Sequence, residues 1–441
     1  MLSPEQNDLL CRVGRETPMG NLMRQYWIPA VRSEELATPD GDPVRVMLLG
    51  EKLIAFRNTN GQVGLIADNC PHRGASMWFG RNEECGLRCV YHGWKFDIAG
   101  NCVDMPNEPA DSNFKNKVKI AAYPCRERNG IIWAYMGPRS VPPPLPDLEA
   151  NLLPGYRLST ILRECNWMQG LEGELDTVHF AFMHNGHARL NDPNTPPGTH
   201  NYYQVKQQAA KFQVLDTEVG VSAGAARPAE LDSTYWRITH MLFPFYAMVP
   251  TGVLGYQARF FAYVPMDDEH TMNWECYGAL PDEQVPDRLL REANVTPGPR
   301  GRTPQDTCHP NGTDWFGRFR LKQNATNDYL IDRDAQRTNK SYTGIDGIRQ
   351  QDVALTDSMG PILDRTVEHL GTTDMLIIRT RHRLMTAARL LAEQRITPPG
   401  VDLPAGYRQR SGGVVLENGA DWWQATEDLR HRFSAAAAAG R

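Results

Sequence analysis

The feature that most limits what this chain can become is a pair of mixed metal-ligand loops. Cys70-Pro71-His72 is followed, after sixteen residues, by Cys89-Val90-Tyr91-His92. Two thiolates and two imidazoles can hold a structural zinc ion, or a [2Fe-2S] cluster with both cysteines on one iron and both histidines on the other. Zinc modules usually pair like with like, as C-x₂₋₄-C and H-x₃₋₅-H. Here each half supplies one Cys and one His, so two loops must face each other across the metal, which suits two irons held differently. Gly74 and Gly93 stand close to the ligands, where tight turns are needed. Cys85, Cys102 and Cys125 lie nearby without a histidine to pair with, and read as core or partly exposed thiols. Nine cysteines in 441 residues, an odd number, do not make a disulfide scaffold, and in a reducing compartment their clustering with histidine points to metal.

Both loops sit among short strands. From Val44 to about Met136 the apolar runs VRVMLLG, KLIAFRN, VGLIAD, CGLRCVY and GIIWAYM are separated by Gly, Asn, Asp and Pro, an all-β pattern. Residues 1–28 read as one amphipathic helix and an approach segment, with Leu9, Leu10 and Val13, then Leu22, Met23 and Tyr26, at near-helical spacing. The β region closes at VPPPLPDL, Val141 to Leu148, which suits a stiff linker. The expected organisation is an N-terminal segment at 1–28, a metal-binding β domain at 29–140, a linker at 141–150, a second domain at 151–430 and a tail at 431–441. In the second domain the pattern predicts a helix from about Glu164 to His184 and strands over YQVKQQ, TYWRITHMLF, ARFFAYVP and NWECYGAL. A Pro/Gly-rich loop from Val285 to Thr313 follows, then helices over roughly Gly347 to Leu370 and Thr373 to Gln394. The terminal AAAAAGR reads as a frayed helical tail, and no internal repeat is present. The fold class is α+β.

The second chemical motif lies in NWMQGLEGELDTVHFAFMH, where Asp176, His179 and His184 form D-x-x-H-x-x-x-x-H. Asp176 and His179 share a helical face at this spacing. His184 lies about 140° further round an ideal helix of ~3.6 residues per turn. The two imidazoles therefore meet one ion only if the helix ends or bulges between them, and Asn185-Gly186 supplies an ending. Two unrelated histidines on a half-buried helix are the bland alternative. Two His and one carboxylate with open positions make the facial triad of non-haem Fe(II) oxygenases. The carboxylate must come from elsewhere, and Asp352, Asp357 and Asp364 in QQDVALTDSMGPILDRTVEHL are candidates, with Asp346 in reserve.

CPHRGASM and CVYHGWKFD resemble the Rieske family over about 100 residues. The D-x-x-H-x-x-x-x-H segment resembles the catalytic helix of the Rieske non-haem iron aromatic ring-hydroxylating oxygenases, large (alpha) subunit. Nearly the whole chain, from LCRVG, TPMG and QYWIPA to DRTVEHLGTTD, resembles their phthalate 4,5-dioxygenase-like group. The resemblance implies a Rieske β-sandwich followed by a helix-grip catalytic domain, with an antiparallel sheet flanked by helices. It implies that Cys70 and Cys89 hold one cluster iron and His72 and His92 the other, and that His179, His184 and, by its place early in a late helix, Asp352 hold a mononuclear Fe(II). Asp176 would then be catalytic as a bridge between a Rieske histidine of one subunit and an iron-ligating histidine of the next. Glu172 stands where many members carry an amide, and either bonds near the iron or is exposed.

Electrons would come from NAD(P)H through a separate flavin or iron-sulfur reductase, because the chain carries neither a GxGxxG fingerprint nor a plant-type C-x₄-C-x₂-C run. The resemblance also implies a head-to-tail homotrimer or a dimer of trimers. Substrates of the group are aromatic carboxylates of phthalate, phenoxybenzoate or chlorobenzoate type, and some relatives O-demethylate methoxylated lignin-derived acids. A carboxylate calls for an arginine fork, and Arg227, Arg237 and Arg259 are the candidates. Phthalate-specific members are expected to carry a further arginine within the segment that here reads VGVSAGAAR, where Ser222 and Ala223 stand, which favours a different aromatic acid. A non-catalytic Rieske electron carrier is the alternative from another class. A formal net charge of −5 gives no electrostatic case for nucleic acid or an anionic membrane. No apolar run approaches the roughly 20 residues of a membrane span. The first residues mix charges instead of leading into an apolar run, so a cytoplasmic location is the default.

Overall fold

Most short apolar runs of the first third pair with the next run, because each is bounded by a turn that sends the chain back beside itself; the first, Trp27–Arg32, pairs instead with Ile131–Tyr135. In the computed structural model, which describes residues 1–184, 186, 188, 190, 195–250, 252–256, 258–278 and 307–431, they form ten strands. These are β1 (Trp27–Arg32), β2 (Val44–Leu48), β3 (Glu51–Arg57), β4 (Val63–Ala67), β5 (Arg81–Glu83), β6 (Gly86–Arg88), β7 (Lys95–Phe96), β8 (Cys102–Asp104), β9 (Cys125–Arg128) and β10 (Ile131–Tyr135). They make three antiparallel sheets, β1-β10-β9, β2-β3-β4 and β5-β6-β7-β8. A small apolar core including Ile54, Phe56, Met77, Leu87 and Phe96 surrounds Cys70 and Cys89.

The second part is built on one antiparallel sheet in the order β11-β17-β16-β15-β14-β13-β12, with β18 also paired to β14. Its strands are β11 (Arg157–Arg163), β12 (Lys211–Thr217), β13 (Gly220–Pro228), β14 (Ser233–Leu242), β15 (Tyr246–Met248), β16 (Ala258–Pro265), β17 (Thr271–Gly278) and β18 (Gly412–Glu417). Helices α1 (Pro4–Cys11), α2 (Pro18–Met23), α3 (Trp167–Leu175), α4 (His200–Lys206), α5 (Ile348–Asp357) and α6 (Met375–Gln394) accompany the sheets. Helix α3 lies against β16, and α6 crosses β12 and β13. The largest core is continuous from α1 and α2 through β1 and β10 into the large sheet. No helix among the described residues is long and apolar enough to cross a membrane.

Several local expectations need correction. The N-terminal segment is two short helices, not one, because Thr17 caps a new start at Pro18. YQVKQQ is not a strand; Thr199 accepts from the Tyr202 amide and starts α4 there, and Tyr203 stacks on Tyr235 at 4.6 Å. The helix expected from Glu164 begins at Trp167, capped by Asn166, and ends at Leu175. The helix expected to Leu370 stops at Asp357, three residues before Gly360-Pro361, where φ of Gly360 is +89° and proline disfavours helix in the residue before it. The expected loop up to residue 306, Asn185, and the tail from residue 432 lie outside the described residues.

Two connections tie the parts together. In the proline-rich stretch, the Pro143 carbonyl accepts from the Trp27 indole at 2.6 Å, and buried Glu149 pairs with buried Arg410. Further on, residues 311–321 return to the first domain. Arg318, itself buried, grips Glu35 with two hydrogen bonds of 2.6 Å, and the Arg45 guanidinium lies over Trp78 at 3.9 Å and Trp315 at 5.5 Å.

Candidate metal centres

The two Cys/His loops are built alike. In the first, the Cys70 amide donates to the Ala75 carbonyl and the Gly74 amide to the Cys70 carbonyl, each at 2.8 Å. In the second, the Cys89 amide donates to Trp94 at 2.8 Å and the Gly93 amide to Cys89 at 2.9 Å. Both closing glycines have φ near +78°, a conformation that favours residues without a Cβ. The loops thus present their cysteines inward, buried, and their histidines outward, half-exposed. The imidazoles of His72 and His92 meet at 4.4 Å between ring centroids, at 74°. Trp94 stacks on His72 at 4.4 Å and 15°.

Burial pushes the Cys70 thiol up to about 11, with the neighbouring Cys89 adding to the shift. Burial, with the charges of His72 and Arg73, lowers the His92 pKa. The four donors do not converge on one point. Among the described residues, the one group of three or more His, Cys, Asp or Glu donors lying within 4.8 Å of one another is His179, His184 and Asp352. A single tetrahedral zinc would draw all four loop donors within about 4 Å of each other. A thiol pair set apart from an imidazole pair instead fits a two-iron cluster, and these residues fit that group.

The second centre depends on where α3 breaks. Asp176 is the C-cap, in extended conformation, and its Oδ1 accepts from the amides of Val178 (2.7 Å) and His179 (3.3 Å). This side-chain turn replaces the next helical turn, so the break comes before both histidines and not between them. His179 then opens a single 3₁₀ turn to Ala181. Its Nδ1 faces Asp176 Oδ2 at 3.5 Å, leaving Nε2 to point at His184. The two Nε2 atoms are 3.2 Å apart, and Asp352 Oδ1 from α5 lies 3.1 Å from His184 and 3.6 Å from His179. Right-angled bonds of about 2.1 Å would separate donors by about 3 Å. One face of an octahedron is therefore in place, and this donor set fits a mononuclear iron with open positions opposite.

The charges around it are consistent with that. Burial raises the Asp176 pKa, but the hydrogen bond and charge of His179 outweigh it, so the carboxylate titrates below its ordinary range. Burial opposes protonation of His179, yet Asp176 and Asp352 raise its pKa overall. Of the other acids, Asp357 is turned to Arg163 (3.6 Å) and Tyr329 (3.3 Å). Asp364 is bonded to Thr366, and Asp346 is exposed.

The three arginines separate. Arg227 donates to the carbonyls of Gln207 and Gln208 just beyond α4, and Arg259 pairs with Glu275, which also takes Arg349. Arg237 is buried on β14 and bonds to the carbonyls of Thr177 (3.2 Å) and Pro250 (3.3 Å) and to Gln204. No carboxylate pairs with it among the described residues, its Nε has no partner, and burial lowers its pKa to about 10.

Sequence reasoning missed two neighbours of this centre. Gln351 holds His184 Nδ1 at 2.7 Å and is itself fixed by donating to the Ile345 carbonyl at 2.8 Å. A ligating imidazole needs a partner for its other nitrogen, so an amide beside a proposed ligand was the available signal. Glu174 accepts from Tyr263 at 2.7 Å, a partner 89 residues away that no spacing reveals; burial and the Asp352 charge raise its pKa. Glu172 is neither exposed nor bonded at the metal donors. It is buried between Arg365 (2.9 Å) and Arg381, under α1 and α6.

Comparison with known proteins agrees with both halves. Residues 26–124 match the Rieske [2Fe-2S] domain and residues 134–431 a LigXa C-terminal domain like family. The chain is 45% identical, over 97% of its length and 98% of the relative's, to a 3-chlorobenzoate-3,4-dioxygenase oxygenase subunit of Comamonas testosteroni. It is 37% identical, over 88% and 86%, to a phthalate 4,5-dioxygenase oxygenase subunit of Pseudomonas putida. The crystal structure of dicamba monooxygenase bound to dicamba shares the fold, with a TM-score of 0.55 at 16% identity, covering 85% of this chain and 100% of that one.

Proposed function

The chain belongs to the Rieske non-haem iron aromatic ring-hydroxylating oxygenases as a large (alpha) subunit, and from that premise we propose that it hydroxylates an aromatic monocarboxylate of the chlorobenzoate type. It is an O₂-dependent oxygenase of a reductase-dependent system, using a Rieske [2Fe-2S] cluster and a mononuclear non-haem iron. Its electrons come from a separate partner; that the partner is a flavin or iron-sulfur reductase drawing on NAD(P)H belongs to the proposal. The observation that carries the reading is the facial set of His179, His184 and Asp352 with donors 3.1 to 3.6 Å apart. When bound there, iron supplies the open positions at which O₂ is activated beside the substrate.

The surrounding residues have definite tasks. Asp176 and Gln351 fix the two imidazoles so that each Nε2 faces the metal position. Arg237 supplies a buried cation just behind the Asp176–His179 turn, and an unpaired buried charge favours an anionic ligand. Ser222, buried against His240 (2.7 Å), stands in the segment where phthalate-specific members are expected to carry a further arginine, which supports a mono-acid over phthalate. A head-to-tail homotrimer, alone or doubled, completes the proposal. Val90 and Tyr91 beside His92 are exposed, as are Ile348, Leu355 and Met359 near the Asp352 helix. Two separate apolar patches of this kind suit a closed heterologous ring.

Iron analysis and product analysis test the reading together. The oxygenase is expected to hold two irons in the cluster and one in the facial site. Supplied with a reductase and a panel of benzoates, it is expected to release a cis-diol from 3-chlorobenzoate. Formaldehyde from methoxybenzoates would make it an O-demethylase instead, and a chain holding cluster iron alone would be an electron carrier. Replacing Arg237 by Gln is expected to raise KM for the acid about 10–100-fold, the worth of one charge-assisted hydrogen bond, with iron content unchanged. An unaltered KM would move the anchor elsewhere.

A further inference from the structure

Each turnover draws electrons from a partner, so the cluster loops of an oxygenase need an entrance as well as an exit. We propose that the entrance is the His72–Trp94–Phe114 edge, docking a one-electron carrier with an acidic face. This rests on the oxygenase reading above.

The loops offer two different edges. At His92, Tyr91 lies 3.9 Å away between ring centroids, and Tyr91 and Val90 are more than half exposed. That edge is chiefly apolar, with Arg73 over the Tyr91 ring, and suits a permanent interface between copies. At His72, the stacked Trp94 ring passes outward to Phe114, whose centroid is 6.0 Å from it and which is 44% exposed. Trp94 is otherwise buried, and its indole N–H is held by Asn107 at 2.8 Å. The rings thus form a fixed series of contacts from a cluster ligand to the surface.

The surroundings of Phe114 are charged. It opens the 3₁₀ turn Phe114–Lys117, and Lys115, Lys117 and Lys119 are all exposed. None has an ion-pair partner among the described residues, and no acid lies within residues 112–119. The nearest upstream acids are Glu108, bonded to Ser112, and Asp111. On a chain of formal net charge −5 this basic turn is a local reversal of sign. Such a reversal turns an acidic partner toward one spot and speeds a transient encounter without requiring tight binding. The step itself is simple: the reduced carrier loses one electron and the oxidised cluster gains it, twice per turnover.

The test uses the iron-loaded protein and its Lys115→Glu/Lys117→Glu/Lys119→Glu variant. The visible spectrum of the wild-type cluster is recorded first; its absence would overturn the oxygenase reading, not the docking site. A reduced plant-type ferredoxin, an acidic one-electron carrier, is then mixed with each protein in a stopped-flow instrument. Reduction of the cluster is expected to slow about tenfold or more on charge reversal at low ionic strength, with the difference gone near about 0.5 M salt. Oxidation of the pre-reduced cluster by the cationic hexaammineruthenium(III) is expected to quicken in the same variant. Phe114→Leu, which keeps the surface apolar but removes the ring, is expected to slow both reactions. Equal ferredoxin rates in wild-type and charge-reversed protein would overturn the proposal.

Discussion

An Asp176→Asn enzyme is expected to keep all its iron and to form product at about a hundredth of the wild-type rate or less. The reason lies in how the residue divides its work. Its Oδ1 closes the turn after α3 by accepting from the Val178 and His179 amides, and an asparagine oxygen can do the same. The facial donors should therefore stay where they are. What asparagine removes is the negative charge facing His179 Nδ1, and the carboxylate that the proposed trimer would place against a Rieske histidine of the next subunit. An amide orients one imidazole but does not stabilise a positive charge shared between two. Cluster absorbance, iron content and product are measured on one preparation. Near-normal turnover would remove the bridging role, and lost iron would make Asp176 a structural residue alone.

Replacing Glu172 by Gln should lower stability by about 3–5 kcal/mol, the usual cost of stripping one partner from a buried ion pair. Glu172 carries two buried arginines. Arg381 would keep Glu368, but Arg365 would be left with Asn7, the Cys11 sulfur and a backbone carbonyl. Thermal or urea unfolding of the two proteins gives the difference, and a loss under about 1 kcal/mol would refute the assignment. The pH dependence follows from the sign of the shift. Burial raises the Glu172 pKa, but Arg365 and Arg381 more than reverse this, so the folded value lies below the ordinary 4.5. Its contribution is then fully present above 4.5 and is lost as pH falls through the lower folded value. The gap between wild type and variant should thus be level from about pH 8 to about pH 5 and narrow only in more acid solution.

The two centres differ in how much of them the sequence discloses. Cys70, His72, Cys89 and His92 fall within one short stretch, and the turns that aim them are set by glycines beside them, so spacing alone carries the geometry. The D-x-x-H-x-x-x-x-H segment shows that a helix must break, but not where. The break is made by the side chain of Asp176 itself, a residue that reads equally well as one more helical acid. Asp352 competes with Asp357 and Asp364 because only the tertiary fold separates them; Arg163 and Tyr329 claim Asp357, while Asp364 stays with Thr366. YQVKQQ alternates as a strand does, yet the cap at Thr199 and the seat for Tyr203 on Tyr235 outweigh that pattern. Glu172 was beyond reach for the same reason, since its partners lie 193 and 209 residues further along the chain.

The grip of Arg318 on Glu35 bears on how the protein is born. The two residues are 283 positions apart, so a ribosome adding about 5–20 residues per second needs roughly 15–55 s between them. Once His92, the last loop ligand, has been added, 226 positions before Arg318, the cluster loops are complete while Glu35 is still unpaired and Trp315 is not yet made to cover Arg45. Machinery that delivers iron and sulfide during synthesis would meet these loops before residues 311–321 close over the domain's flank. Loading during synthesis and loading afterwards would act on two differently supported forms of the same four ligands.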